Sequence, residues 1–230
     1  MNSSLKVAGV GALLQGVFFV IVLVLILGVL PGFGLQGPKD FADPAKVLPF
    51  IASQPFVAFW LFPGDILFAV FLFLAVIGLH DYLQAQLPFL MRLATGAGLV
   101  ATALILANGT SGASVLQLAR NYPQNRDAAE TTFLTLSLVS SNGVGLVSGG
   151  IFAYGWWAVL ISWVALRAGI FPKALNYVGL LFGIAGIGAI VILPLGFLGP
   201  VIGIVWCIWL GVVLLRREGF TDSNRLMQSM

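Results

Sequence analysis

The sequence predicts an all-α fold, a polytopic transmembrane bundle of six helices. Three observations carry that prediction. Of the 230 residues 60% are hydrophobic and 8% charged, against about 25% charged in a soluble domain, and the mean hydropathy is +1.05. Apolar runs of the length needed to cross about 30 Å of hydrocarbon recur along the chain. Short segments rich in Pro, Gly, Asn and charge separate those runs, and six of them return both termini to one side.

Span 1 is residues 7–30, broken only by Gln15 and glycines. A secretory h-region is about 7–15 residues and precedes a cleavage site. This run is longer and leads into Pro31-Gly32-Phe33-Gly34, so it reads as a retained span held by Lys6. Residues 31–55 form a Pro/Gly-rich loop in which Asp43-Pro44 is a good helix start. A short interfacial helix over 43–54 and an irregular loop are equally compatible with it. Span 2 is residues 56–79 and carries Pro63, Gly64 and Asp65. Pro88 opens span 3, residues 88–119, whose distal part is polar from Asn108 to Ser114. Arg120–Arg126 is a loop. Residues 127–166 hold no proline, so span 4 is about 60 Å as one helix, twice the hydrocarbon thickness. Either spans 3 and 4 project on the outer side as a long hairpin or span 4 breaks near Ser140–Gly145; the long hairpin, kinked there, is the favoured reading. After the basic turn Arg167–Lys173 come span 5, residues 174–193, span 6, residues 201–217, and a loosely ordered polar tail. The chain reads as a single transmembrane domain, 1–230.

Lys6, Arg92, Arg167, Lys173, Arg216, Arg217 and Arg225 fall on one side, and Lys39, Lys46, Arg120 and Arg126 on the other. The positive-inside rule then makes both termini cytoplasmic in a multi-pass protein of the inner (plasma) membrane.

Gly155-Trp156-Trp157, followed by Arg167-Ala-Gly169-Ile-Phe-Pro172-Lys173 and Gly179, resembles a bacterial family of six-helix membrane proteins of unknown function. Lys173 stands where that family usually has Arg, and Asp65 lies where its second helix commonly carries an acidic residue. The resemblance implies a six-helix fold and no activity.

An ionisable residue at membrane depth is a functional candidate by default. Asp65 could bind a proton, a cation or a substrate amine beside a backbone carbonyl freed by Pro63. The favoured reading is structural, with Asp65 hydrogen-bonded to Asn108, Ser140, Asn142 or Tyr154 in one intramembrane polar cluster. With Gln117 and Ser141, the Asn and Ser side chains of this group could line an outward-facing pocket. Arg92, Arg167 and Lys173 are candidate contacts for lipid headgroups, although the positive-inside rule already places them there. His80 could serve as a single axial ligand, but an interface turn at His80-Asp81 is the more economical reading. Gly145/Gly149, Gly179/Gly183 and Gly199/Gly203 read as packing glycines. The six tryptophans read as lipid-facing or interface anchors, and Cys207 as an inert buried thiol.

One Cys and one His exclude a disulfide framework and a two-imidazole metal site within the chain. No metalloprotease, P-loop or dinucleotide motif is present. Phe62-Pro-Gly-Asp65 lacks the first glycine of the intramembrane aspartyl protease motif, and no second carboxylate lies at its depth. Nucleic-acid binding has no basic stripe to rest on. The expected protein is thus not an enzyme and carries no cofactor or metal. Its partners are the bilayer and other membrane subunits or a homo-oligomer, and it acts in a complex or by binding a lipophilic ligand. On that reading Asp65→Asn leaves folding and function nearly intact. The alternative is a small transporter or ion-coupled permease with Asp65 as coupling carboxylate, for which the missing repeat between chain halves is unfavourable.

Overall fold

A computed structural model of the chain describes residues 3–36, 38–141 and 145–228, without the side chains at 38–39, 140–141, 193–194, 196–197 and 217–228. The described residues are all-α. In order they form α1 (Ser3–Val24), α2 (Pro38–Phe41), α3 (Pro44–Ser53), α4 (Pro55–Leu61), α5 (Asp65–Leu83), α6 (Pro88–Asn121), α7 (Arg126–Ser141), α8 (Leu146–Ala168), α9 (Lys173–Gly188) and α10 (Leu193–Gln228). Among them five helical stretches are long and apolar enough to cross a membrane: Ser3–Phe33, Pro55–Leu83, Pro88–Asn121, Leu146–Ala168 and Leu198–Arg216.

Helices α1, α5, α6, α8, α9 and α10 pack in that cyclic order, with α10 returning to α1, so they close a ring. Every neighbouring pair is antiparallel. Gly11 faces Phe71 and Ala75 while Gly78 faces Ser4 and Ala8; Gly98 faces Val76 and Trp157 while Gly150 faces Ile105; Gly203 faces Phe182 while Gly179 faces Trp206. Glycine is needed where backbones touch. A Cβ on Gly183 would stand 2.5 Å from the Gly155 carbonyl oxygen, and one on Gly155 would stand 2.7 Å from that of Gly183. In lipid there is little hydrophobic drive between helices, so such close van der Waals approach holds them together.

The ring interior is filled. Phe68 of α5 meets Tyr154 of α8 at 5.7 Å between centroids, and Phe19 of α1 meets Phe182 of α9 at 6.4 Å, both contacts reaching across the ring. Trp157 and Trp206, 1% and 2% exposed, complete this plug. Two of the six tryptophans are therefore core residues rather than anchors. Trp156 and Trp163 are exposed, as an anchor requires.

At one end of the ring, short helices build a cap over a second apolar core that includes Leu30, Val47, Leu48, Ile51, Val115, Ala119 and Phe133. Asp43 caps α3 by accepting from the Ala45 amide at 3.0 Å, with Pro44 in the first turn. The short helix offered by the Asp43-Pro44 start is thus formed, over Pro44–Ser53. Lys46 Nζ donates to Asp40 Oδ1 at 2.6 Å, and Tyr122 donates to Glu130 at 2.8 Å, tying α6 to α7. The other end carries Ser3, Leu83, Pro88, Ala168 and Lys173 and is called the basic end here.

Three expected elements are corrected. Span 4 is not one kinked helix: α7 ends at Ser141, and α8 begins after Gly145 in extended backbone, φ −78° and ψ −176°. Glycine and small polar residues break it without a proline, and α7 folds against α3 and α6. Span 2 is likewise divided at Pro63-Gly64 into α4 and α5. The polar tail continues α10 as helix to Gln228, with no proline between Arg216 and Gln228.

Candidate functional site

The α4–α5 break sets the position of Asp65. Pro63 has no amide hydrogen to give the Phe59 carbonyl. The Gly64 amide takes that role at 2.7 Å, so the carbonyl expected to be free is satisfied. The chain resumes as helix with Asp65 in the first turn of α5, where the helix dipole favours a negative charge. Opposite it, Gly109 and Gly112 of α6 let the α4–α5 backbone approach closely, Gly112 against Phe62 and Gly109 against Ile66. That approach brings Asn108 Nδ2 to 2.7 Å from Asp65 Oδ2, to which it donates. A carboxylate only accepts here, so this bond turns the amide oxygen of Asn108 away from Asp65.

Beside the pair lies a half-open cavity of about 230 Å³ between cap and ring. Phe41, Leu61, Phe62, Val115, Phe133 and Leu136 give it apolar walls, and Asn108 and Ser137 give it polar ones. Asn108 stands about 30 Å along α6 from Pro88. With the basic end at one membrane interface, the cavity lies level with the other.

Of the expected cluster, Asp65 and Asn108 come together. The Ser140 side chain and all of Asn142 lie outside the described residues. Gln117 is exposed on α6. Tyr154 belongs to a different group: its hydroxyl donates to Gln15 Oε1 at 2.6 Å and lies 3.4 Å from Cys207 Sγ. Gln15 Nε2 donates to the Gly11 and Phe71 carbonyls at 3.2 and 3.4 Å. Gln15, 1% exposed, thus links α1, α5 and α8 near mid-bundle, and Tyr154 extends the group to Cys207 of α10. A lone amide inside the apolar run of span 1 was the available signal for it, the same one that drew attention to Asp65.

Arg92, Arg167 and Lys173 are all exposed at the basic end, and the Arg167 guanidinium sits 5.1 Å from the Trp163 ring centroid. The Thr95 hydroxyl donates to the Met91 carbonyl at 2.8 Å, so its oxygen accepts from His80 Nδ1 at 2.7 Å. Asp81 accepts from Ser4 at 3.1 Å. The turn expected at His80-Asp81 is instead the last part of α5, which runs on to Leu83, and both side chains tie neighbouring helices together. Among the described residues no three His, Cys, Asp or Glu side chains converge as metal ligands.

A family model described as a domain of unknown function, DUF4386, matches residues 14–218. No curated protein and no solved structure matches the chain. The match spans most of the chain, as the resemblance read from Gly155-Trp-Trp157 and Arg167–Lys173 does.

Proposed function

The chain belongs to the DUF4386 family, and we propose that it is a non-catalytic multi-pass protein of the bacterial inner (plasma) membrane that binds a lipophilic ligand. The observation that carries this reading is the cavity between cap and ring, apolar on most sides and polar where Asn108 backs onto Asp65. Ligand pockets have this composition, largely hydrophobic with a few convergent polar groups. A complex with further membrane subunits is compatible with the same site.

Six spans with both termini cytoplasmic accompany this reading. Helix α9 packs between α8 and α10 in the ring. Its helical hydrogen bonding continues past Gly188 to Ile192, whose amide donates to the Gly188 carbonyl at 2.8 Å. Residues 173–192 then span about 30 Å. The cationic basic end supports a cytoplasmic placement for that end.

Transport through Asp65 is the second reading, favoured by the half-open cavity that ends at Asn108. The aromatic plug below it opposes a through-path in this conformation. Proteoliposome flux separates the two. The binding reading expects no pH-driven flux in the unmodified protein; flux abolished by Asp65→Asn would establish the transporter instead.

A further inference from the structure

We propose that the ligand of the cap-end cavity is an amphiphilic amine, with its protonated nitrogen at the Asn108 amide oxygen, one residue from the Asp65 carboxylate behind it, and its apolar tail against Leu61, Phe62, Val115 and Phe133. This rests on the ligand-binding reading of that cavity and adds its chemistry.

The charge balance of the site carries the inference. Among the described residues the Asp65 carboxylate has one hydrogen-bond donor, the neutral amide of Asn108. A carboxylate offers about four acceptor sites, and a charge removed from water needs a partner charge or several donors. No cationic side chain pairs with Asp65 among the described residues; the ion pair of the cap, Lys46–Asp40, is a separate contact. The Asn108 amide donates toward Asp65, so its oxygen is the atom left for the cavity, a second acceptor, with the Ser137 hydroxyl as the other polar group of the wall. Phe41, Phe62 and Phe133 also line the cavity, and aromatic rings attract a cation. An ammonium meets each of these features: it brings the counter-charge, it has only donors, and it is favoured against aromatic faces. A carboxylate ligand would meet Asp65 as a like charge, and an alcohol would leave the charge unpaired.

The amine could be a free amphiphile or the headgroup of an amino-phospholipid. Either presents the same ammonium on an apolar tail, and the level of Asn108 near one interface suits both.

Titration calorimetry of the purified full-length chain in a neutral maltoside detergent tests this at pH 7, with octylammonium chloride, octanol and sodium octanoate as ligands of equal tail. Octylammonium is expected to bind at least about tenfold tighter than octanol, with octanoate weakest. Asp65→Asn is expected to bring octylammonium down to the octanol level and leave octanol unchanged. Equal binding of amine and alcohol by the unmodified protein, or tightest binding of octanoate, overturns the inference even if the variant does not fold. Val147→Trp, which fills the cavity, separates this failure from that of the underlying reading. Loss of all three ligands in that variant, without any amine preference in the unmodified protein, keeps the cavity and rejects the amine. Binding that survives Val147→Trp, or no binding of any of the three, rejects both. Repeating the octylammonium titration in nanodiscs of phosphatidylcholine with and without phosphatidylethanolamine identifies the source. Weakened binding only with phosphatidylethanolamine assigns a lipid headgroup; equal binding assigns a free amine.

Discussion

Gln15 joins three helices of the ring through one buried side chain. Its amide receives the Tyr154 hydroxyl and donates to carbonyls of α1 and α5. Interhelical hydrogen bonds in membranes contribute about 0.6 kcal/mol on average and up to about 1.7. Tyr154→Phe and Gln15→Leu are each expected to lower stability by roughly 1 to 2 kcal/mol. Because they remove the same bond, the double variant should lose clearly less than the two losses added; an additive result in a denaturation series would show that the pair does not act as a unit. Asp65→Asn should cost little stability, since the new amide oxygen still accepts from Asn108. At this scale the sequence showed which residues were costly and at what depth, but not which way they faced. Depth follows from counting along a helix, and Asp65 with Asn108 was legible that way. Tyr154 was not, because its direction around α8 depends on which helices flank it in the ring.

Elements were legible where their punctuation is chemical. Asp43-Pro44 marks the start of α3 and Pro88 the start of α6. The α7–α8 boundary was half legible: Ser140–Gly145 signalled a kink, but without a proline the stretch did not mark the full break that extended backbone at Gly145 completes. Packing between elements gives the next prediction. Gly183→Leu drives a side chain into the Gly155 carbonyl, and it should prevent stable folding or lower the melting temperature sharply. Gly28→Leu, at a site where an added Cβ would meet no atom within 4 Å, should leave it nearly unchanged. The cap adds a pH dependence. The hydrogen bond to Glu130 comes first among the causes that raise the Tyr122 hydroxyl above its ordinary value of 10.0, and the carboxylate of Asp40 likewise raises Lys46 above 10.5. Both bonds use the protonated group. Their contribution is therefore complete below about pH 10 and is lost as pH rises through the raised values. In an absorbance titration of tyrosinate, Tyr122→Phe should remove a phenol that ionises above pH 10; a phenol lost at or below pH 10 would mean that the Glu130 bond does not form in solution.

The whole molecule is an antiparallel ring, and its closure makes α9 decisive. Five helical stretches qualify as spans by length and hydropathy, and composition alone leaves α9 ambiguous because it is short. The ring removes much of that ambiguity. α10 must run antiparallel to α1 while following α9, and α9 must run antiparallel to α8. A chain that turned back without crossing at α9 would start α10 beside Lys173 and leave it antiparallel to α8 and parallel to α1, against the observed α1–α10 packing. Cysteine labelling can read this directly. Cys207, 1% exposed and packed against Tyr154, should be silent toward a membrane-impermeant maleimide, so the native chain serves as the background. Thr131→Cys on the exposed side of α7, Lys173→Cys at the start of α9 and Val191→Cys beyond its end are exposed positions. In intact cells the reagent should label Thr131→Cys and Val191→Cys and spare Lys173→Cys, which reacts only after the membrane is opened. Val191→Cys behaving like Lys173→Cys would reduce the spans to five and put the two termini on opposite sides. Lys173→Cys labelled from outside, with Thr131→Cys and Val191→Cys protected, would keep six spans but invert them and turn the cavity toward the cytoplasm.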